Sequence, residues 1–377
     1  MKQILIAPNT FKHSLPAIEV AKTIKQVLDA LNLDLNCELA PIADGGDGTI
    51  DILNFYFKKS KLVQCSIHDP LMRSIQANWL LLDKETAVIE LAKASGLALL
   101  KEDELNPMWA NTFGTGELIV SALDKGCTKI ILTLGGSATV DAGLGIIQAL
   151  GVKIFDKKKH PLKAGGGFLN QVEKINLSSI DKRINKTELH ILCDVGIPLL
   201  GETGTVQRFS TQKGAKEGEK HVLELGMKHF ANIIKNTVAY DCSMEPMVGS
   251  AGGVAFSLKA LLAAKLFCGF SYLSNLISLE EKIKNSDIII TGEGNLDSQT
   301  LMGKGVYELA KLAKKLNKTN VIVVCGECDT GINWQAYNIK EVIKIKPEGI
   351  SQAESLKNTK NLIETSLKNH SELFRNY

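Results

Sequence analysis

Hydrophobic and polar positions follow two textures along the chain. At the N-terminus Lys2 to Ala7 is a short, largely apolar run, the pattern of a strand buried on both faces. Pro16 then stands at the first turn of a helix carrying Ile18, Ala21, Ile24, Val27, Leu28 and Leu31 at helical spacing. A second strand is expected at Cys37 to Ile42, and a second helix from Gly48 with Ile50, Leu53 and Phe57 on one face. From Leu62 to Leu91 this alternation stops. Leu62 to Ile67, Ile75 to Leu82 and Thr86 to Leu91 are consecutive strand-like runs turned at Asp69-Pro70, which predicts antiparallel pairing.

Farther on, the pattern predicts a helix over Gly114 to Lys125, a strand over Thr128 to Leu134 and a helix over Ser137 to Leu150. Lys157 to Asn170 reads as a surface hairpin or loop. Leu189 to Val195 reads as a short strand ending in Cys193-Asp194, before a glycine-rich loop over Gly196 to Gly218, and Ala251 to Ala264 as a small-residue apolar helix. The last hundred residues return to alternation: strand Asp287 to Thr291, helix Gly303 to Leu316, strands Asn320 to Cys325 and Glu341 to Ile345, and a closing helix. This order predicts an α/β protein in which a doubly wound domain built from residues 1–62 and 265–377 receives an inserted mixed-sheet α/β domain over 63–264. A length of 377 residues suits two such cores.

Composition adds exclusions. A formal charge of +3, from 44 basic and 41 acidic residues with neither sign in a long block, does not ask for nucleic acid. No apolar run approaches the roughly 20 residues of a membrane span, and the opening run is too short for a signal peptide, so a cytoplasmic protein is expected. The eight cysteines are then read as reduced core residues, Cys325-Gly326-Glu327-Cys328 included, because no second C-x-x-C or paired histidine accompanies it.

Chemistry concentrates where glycines interleave with acids and hydroxyls after apolar strands: Ala43 to Thr49, Leu134 to Asp141, and Thr291 to Thr300. In an open parallel sheet such loops lie at the carboxyl ends of strands, where ligands bind. A tight turn needs glycine whatever its function, but three loops with polar groups beside the glycines favour a site. Asp44, Asp47, Glu293 and Asp297 are the carboxylates suited to a hard cation. Asp194 suits a general base or a turn. Gly135, Gly136, Ser137 and Thr139, read as a helix start, suit an anion. Lys12, Arg208, Lys213 and Lys304 lie in glycine-rich company, and Arg73 follows the Asp69-Pro70 turn. Neither G-x-x-x-x-G-K-[ST] nor the third glycine of a dinucleotide fingerprint is present, and protein-kinase motifs are absent.

Seven segments carry a resemblance that runs nearly end to end: Ala7-Pro8-Asn9-Thr10-Phe11-Lys12-His13-Ser14-Leu15, Ala43-Asp44-Gly45-Gly46-Asp47-Gly48-Thr49, Asn111 to Leu118, Gly135 to Thr139, Cys193-Asp194-Val195, Gln212-Lys213-Gly214-Ala215, and Asp287 to Thr300. In them the chain resembles the type I bacterial glycerate kinases. The resemblance implies ATP-dependent phosphorylation of D-glycerate with Mg²⁺, usually giving 2-phosphoglycerate. It also implies two intertwined α/β domains, one a doubly wound parallel sheet of flavodoxin or Rossmann kind and one a mixed sheet likened to restriction endonucleases, with the site in an inter-domain cleft. The chain departs from it at Asn9, where the family has aspartate, at Asn295, where it tends to have arginine, and at Val140, where it tends to have asparagine.

The expected site follows. ATP phosphates meet Gly135, Gly136, Ser137, Thr139, Ser14 and Lys213, with Lys12 beside them, and Mg²⁺ bridges them to Asp44, Asp47 or Glu293. Glycerate meets Arg73 or Arg208 and Ser298, and its hydroxyl is oriented by Asp194 or, failing that, Asp297. The expected partners are small molecules, and the expected assembly is a monomer or homodimer. Alternatives are a kinase forming 3-phosphoglycerate or acting on another small hydroxy acid, a solute-binding protein, which lacks its export signal here, and a nicotinamide dehydrogenase, which lacks its fingerprint.

Overall fold

Continuous apolar strands are stable only where both faces are covered, and that requirement organises the molecule. The computed structural model describes residues 1–193 and 195–375. In chain order the strands are β1 (Lys2–Ile6), β2 (Leu35–Leu39), β3 (Lys61–His68), β4 (Ser74–Leu81), β5 (Thr86–Glu90), β6 (Lys129–Thr133), β7 (Lys153–Phe155), β8 (Lys174–Asn176), β9 (Glu188–Cys193), β10 (Lys265–Cys268), β11 (Ile288–Leu296), β12 (Val321–Cys328) and β13 (Glu341–Lys344). They fall into two units: Met1–Asp44 with Asp51–Tyr56 and Phe270–Tyr377, and Gly45–Ile50 with Phe57–Gly269.

The first unit holds a parallel sheet of order β13-β12-β11-β1-β2. On one face Ile4, Ile6, Ile290 and Val324 pack against Val20 and Ile24 of the helix Ala17–Ala30 and Ile363 and Leu367 of the helix Gln352–Asn369. On the other, Val323 and Cys325 pack against Val306 and Ala310 of the helix Gly305–Lys315. Helices on both faces make the sheet doubly wound. The chain leaves β1 for β2 on one side, whereas β11 flanks β1 on the other. The crevice where a ligand enters such a sheet therefore opens between the carboxyl ends of β1 and β11.

The second unit holds a mixed sheet of order β10-β9-β6-β5-β4-β3, antiparallel from β3 to β5 and parallel from β5 to β10. The antiparallel pairing expected for the three consecutive runs is thus present. Trp79, Ile89, Leu132 and Ile191 pack with Leu118 and Ala122 of the helix Phe113–Asp124. A second cluster gathers around the helix Glu217–Val238, through Leu223, Met227, Phe230 and Ile234.

Three expectations need correction, and one helix is new. The helix expected over Ser137 to Leu150 is only Leu144–Ala149, because Ala142 and Gly143 before it are left-handed and Asp141 captures the Gly143 and Gly145 amides. The strand expected to stop at Thr291 continues to Leu296: Gly292 and Gly326 let β11 and β12 approach so closely that a Cβ on either would lie 2.2 or 2.6 Å from a carbonyl oxygen of the other strand. Ser250–Leu262 is helical except at Ala251, Gly252 and Gly253, which are all left-handed. The 22-residue helix Glu217–Val238 is not anticipated by the pattern reading at all. All eight cysteines are free, with Cys127, Cys193, Cys242 and Cys325 buried and the other four half-buried, and no described helix is long and apolar enough to cross a membrane.

Candidate active site

In the first unit the β1 and β11 crevice brings acids together. Asn9 N donates to Gly292 O (2.8 Å), so the segment leaving β1 runs beside the end of β11, and Lys12 N lies 3.6 Å from where a Cβ on Gly294 would sit. Asn9 Nδ2 donates to Asp44 Oδ2 (2.9 Å), which also accepts from Gly305 N (3.3 Å). Glu293 is 6% exposed, and its Oε1 accepts from Thr300 Oγ1 (2.8 Å). Burial above all pushes its carboxyl up to about 7; Lys304 and the Thr300 hydroxyl oppose that, and Asp44 and Asp297 add to it. Asp297 Oδ1 caps the following turn through Gln299 N and Thr300 N, and its Oδ2 accepts from the Asn295 amide.

In the second unit the parallel strands end together in the same way. Glu90 closes β5, the glycine segment follows β6, and Cys193 closes β9. Gly135 N donates to Gly45 O, and a Cβ on Gly135 would lie 2.5 Å from Gly46 Cα, so only glycine fits where these two loops cross. Asp47 Oδ1 is 2.8 Å from where a Cβ on Gly136 would sit. Lys213, 3% exposed, donates through Nζ to Ser137 Oγ (2.7 Å) and Thr139 O (2.8 Å). An ammonium so buried is a concentrated positive charge, set here against a hydroxyl and a backbone carbonyl of the glycine loop.

The loop is held from behind by a buried carboxylate. Asp141 Oδ2 accepts from Thr112 N (2.9 Å), Thr112 Oγ1 (2.8 Å) and Gly145 N (3.2 Å), while Oδ1 accepts from Gly143 N (3.1 Å). Full burial drives its pKa upward and these donors pull it back. The left-handed turn Ala251-Gly252-Gly253 closes the other side: Gly252 O accepts from Ala142 N (2.9 Å), and a Cβ on Gly252 would lie 2.0 Å from Thr139 O.

The expected residues therefore gather in two sets. Lys12, Asp44, Glu293 and Asp297 share the β1 and β11 crevice, and Asp47, Gly135, Gly136, Ser137, Thr139 and Lys213 share the loop after β6. Asp194 lies outside the described residues. Ser14 Oγ turns to Leu356 O (2.8 Å) and Thr359 Oγ1 (2.5 Å) in the closing helix. Arg73 is bound by Asp69 (Nε to Oδ2, 2.5 Å) and Glu104 (2.6 Å), Arg208 is exposed in the last turn of the helix Thr205–Phe209, and Ser298 is exposed. The glycine segment is not a helix start, so the helix dipole expected beside it is not there. Among the described residues no group of three or more His, Cys, Asp and Glu is gathered as a metal site.

Two polar residues escape the sequence reading. Thr300 is fully buried and ties Glu293 to the Asp297 turn. Glu90, 2% exposed, accepts from Ile50 N (2.7 Å) and lines a cavity of about 780 Å³ with Asp47 and Lys93. An acid closing the apolar run Ala87-Val88-Ile89 was the available signal.

Comparison with known proteins gives concordant matches. The glycerate kinase family model matches residues 4–375. A glycerate kinase of Halalkalibacterium halodurans is 36% identical over 98% of this chain and 97% of its own length. A glycerate 2-kinase of Escherichia coli strain K12 is 38% identical over 88% of each. A solved glycerate kinase 2 candidate from Salmonella typhimurium LT2 superposes with TM-score 0.84 at 33% identity, covering 100% of this chain and 99% of that one. The chain belongs to the glycerate kinase family.

Proposed function

We propose that this chain transfers the γ-phosphoryl group of ATP to D-glycerate, yielding 2-phosphoglycerate and ADP. The observation that carries the reading is Lys213 Nζ, buried and bonded to Ser137 Oγ and Thr139 O inside a glycine loop, in a chain 38% identical to a glycerate 2-kinase. Phosphoryl transfer asks little covalent chemistry of a protein. It needs fixed positive charge and N-H groups around the phosphate oxygens, and this loop has both.

In this reading the C2 hydroxyl oxygen attacks the γ-phosphorus, the bond to the β,γ-bridging oxygen breaks, and the hydroxyl proton passes to a carboxylate. Asp194 is the preferred base. Asp297 is second, because its Oδ1 is already committed to Gln299 N and Thr300 N. Arg208 is the preferred partner of the glycerate carboxylate, since the Arg73 donors are taken by Asp69 and Glu104. Ser14, tied to the closing helix, acts by setting the loop that carries Lys12.

The acidic crevice fits a magnesium ion held in the usual open manner, by one or two carboxylates with phosphate oxygens completing the sphere. Asp44 and Glu293 would hold it, and the mutual repulsion that helps raise the Glu293 pKa is the charge such an ion relieves. Bound there, it would neutralise charge on the β- and γ-phosphate oxygens.

The test is ADP release with D-glycerate, followed by product identification. Consumption of the product by enolase alone supports phosphorylation at C2. Consumption only after phosphoglycerate mutase is added means phosphorylation at C3, and turnover confined to L-glycerate, tartronate or glycolate means a different hydroxy acid.

A further inference from the structure

The second unit contains an apolar cavity of about 870 Å³ that none of the groups above uses. Its walls include Trp109, Phe168, Phe155 and Met72, and the charged side chains lining it are Lys153 and Lys163, with no carboxylate among them. Trp109 is 57% exposed and Met72 46%, although a large aromatic normally hides from water, and the Trp109 ring is held edge-on to Phe168 at 5.3 Å. The volume is that of a small-molecule pocket, and the lining suits a flat aromatic ring carrying negative charge. Glycerate is too small and too polar for it.

The cavity also adjoins the glycine loop through the chain itself. Asn111 and Phe113 line it, and Thr112 between them donates through N and Oγ1 to Asp141, four residues after Ser137. Four residues span at most about 14 Å, comparable to an extended nucleoside triphosphate. Gln148, also on the wall, gives its amide nitrogen to Leu162 O (2.9 Å), which leaves its amide oxygen as an acceptor for an exocyclic amine.

We propose that this cavity is the nucleobase subsite: the purine of ATP stacks on Trp109, its amino group meets the Gln148 oxygen, and the phosphates run toward Ser137 and Lys213. The assignment rests on the reading of the chain as an ATP-dependent kinase and adds where the base sits. Of the three tryptophans, Trp79 is fully buried and Trp334 is 7% exposed, so Trp109 is the one that a ligand can cover.

The experiment combines ADP titration of tryptophan emission with steady-state kinetics of Trp109→Ala and Trp109→Phe. Expected are a change in emission on adding ADP that is lost in Trp109→Phe, a KM for ATP raised about tenfold or more in Trp109→Ala, restoration to within about threefold in Trp109→Phe, and a KM for D-glycerate within about twofold throughout. An emission change with ADP but no turnover of D-glycerate would sustain the subsite and overturn the proposed substrate. Turnover with an unchanged KM for ATP in Trp109→Ala and no response to ADP would overturn the subsite alone. Concentration-dependent association in sedimentation, abolished by Trp109→Ala with KM for ATP unchanged, would assign the cavity to a second copy of the chain and overturn it too.

Discussion

Asn9 donates its amide hydrogen to Asp44 Oδ2 at 2.9 Å, so the residue that stands where the family usually has an acid serves here to hold one. Asn9→Asp would set two carboxylates at hydrogen-bond distance. At pH 8 without Mg²⁺ the variant should lose about 1–3 kcal/mol and melt several degrees below the parent. The difference should shrink at pH 5 or on adding Mg²⁺. Thermal melts in the four conditions check this, and equal melting at pH 8 would refute the repulsion.

Glu293 has the opposite sign from an ordinary salt-bridged acid. Its folded pKa of about 7 lies above the ordinary 4.5, so its contribution to stability is fully present below about pH 4.5 and is lost as pH rises through about 7. Glu293→Gln keeps an oxygen for the Thr300 hydroxyl and cannot ionise. It should match the parent near pH 4.5 and exceed it by up to about 3 kcal/mol above pH 7, while activity falls at least about 100-fold. Urea melts across that range, with kcat at pH 8, measure both.

Lys213→Met keeps most of the side-chain volume and removes the charge from Ser137 and Thr139. A loss of about 10²- to 10³-fold in kcat/KM for ATP is expected, with a far-ultraviolet circular dichroism spectrum like the parent's. Lys213→Arg should not rescue it, because a planar fork does not fit a site enclosed around a single nitrogen. Steady-state kinetics at varied ATP decide.

Gly252 has φ +69°, and a Cβ there would meet Thr139 O at 2.0 Å. Gly252→Ala should destabilise by more than about 3 kcal/mol, since both the backbone conformation and the neighbouring loop would have to shift. Gly218→Ala, where nothing lies within 4 Å, is the control and should change stability by less than about 1 kcal/mol. Denaturant midpoints of the pair give the comparison.

Much of the architecture is legible in the residues because buried parallel strands leave unbroken apolar runs, as at Ile4 to Ile6 and Ile288 to Ile290. The acids of the crevice are legible because they stand close after apolar stretches, Asp44 after Ala40 to Ala43 and Glu293 three residues after Ile290. What the pattern hides is side-chain capture of backbone. Ser137 to Leu150 looks helical by composition, yet Asp141 takes the amides of Thr112, Gly143 and Gly145, and left-handed Ala142 and Gly143 keep the first half out of the helix. The stretch Gly292 to Gly294 looks like a loop, yet the absence of Cβ at Gly292 and at Gly326 lets β11 continue beside β12. The helix Glu217–Val238 was available from Leu223, Met227, Phe230 and Ile234, but the glycine run before it masks its start. Thr300 is an unremarkable hydroxyl until the fold brings it to Glu293.

The placement of β1 has a consequence for the chain as it is made. Ile4 pairs with Cys37 of β2 on one side and with Ile288 of β11 on the other. β2 emerges soon after β1, but roughly 250 residues separate Leu39 from Ile288, which is about 12 to 50 s of synthesis at 5–20 residues per second. The mixed sheet is complete in sequence by Cys268, before β11 exists. For that interval the Ile4-Leu5-Ile6 edge is an unpaired apolar strand. Although β1 is translated long before β11, it is therefore among the last strands to be enclosed, and a ribosome stalled short of Ile288 would leave it open to pairing with other chains.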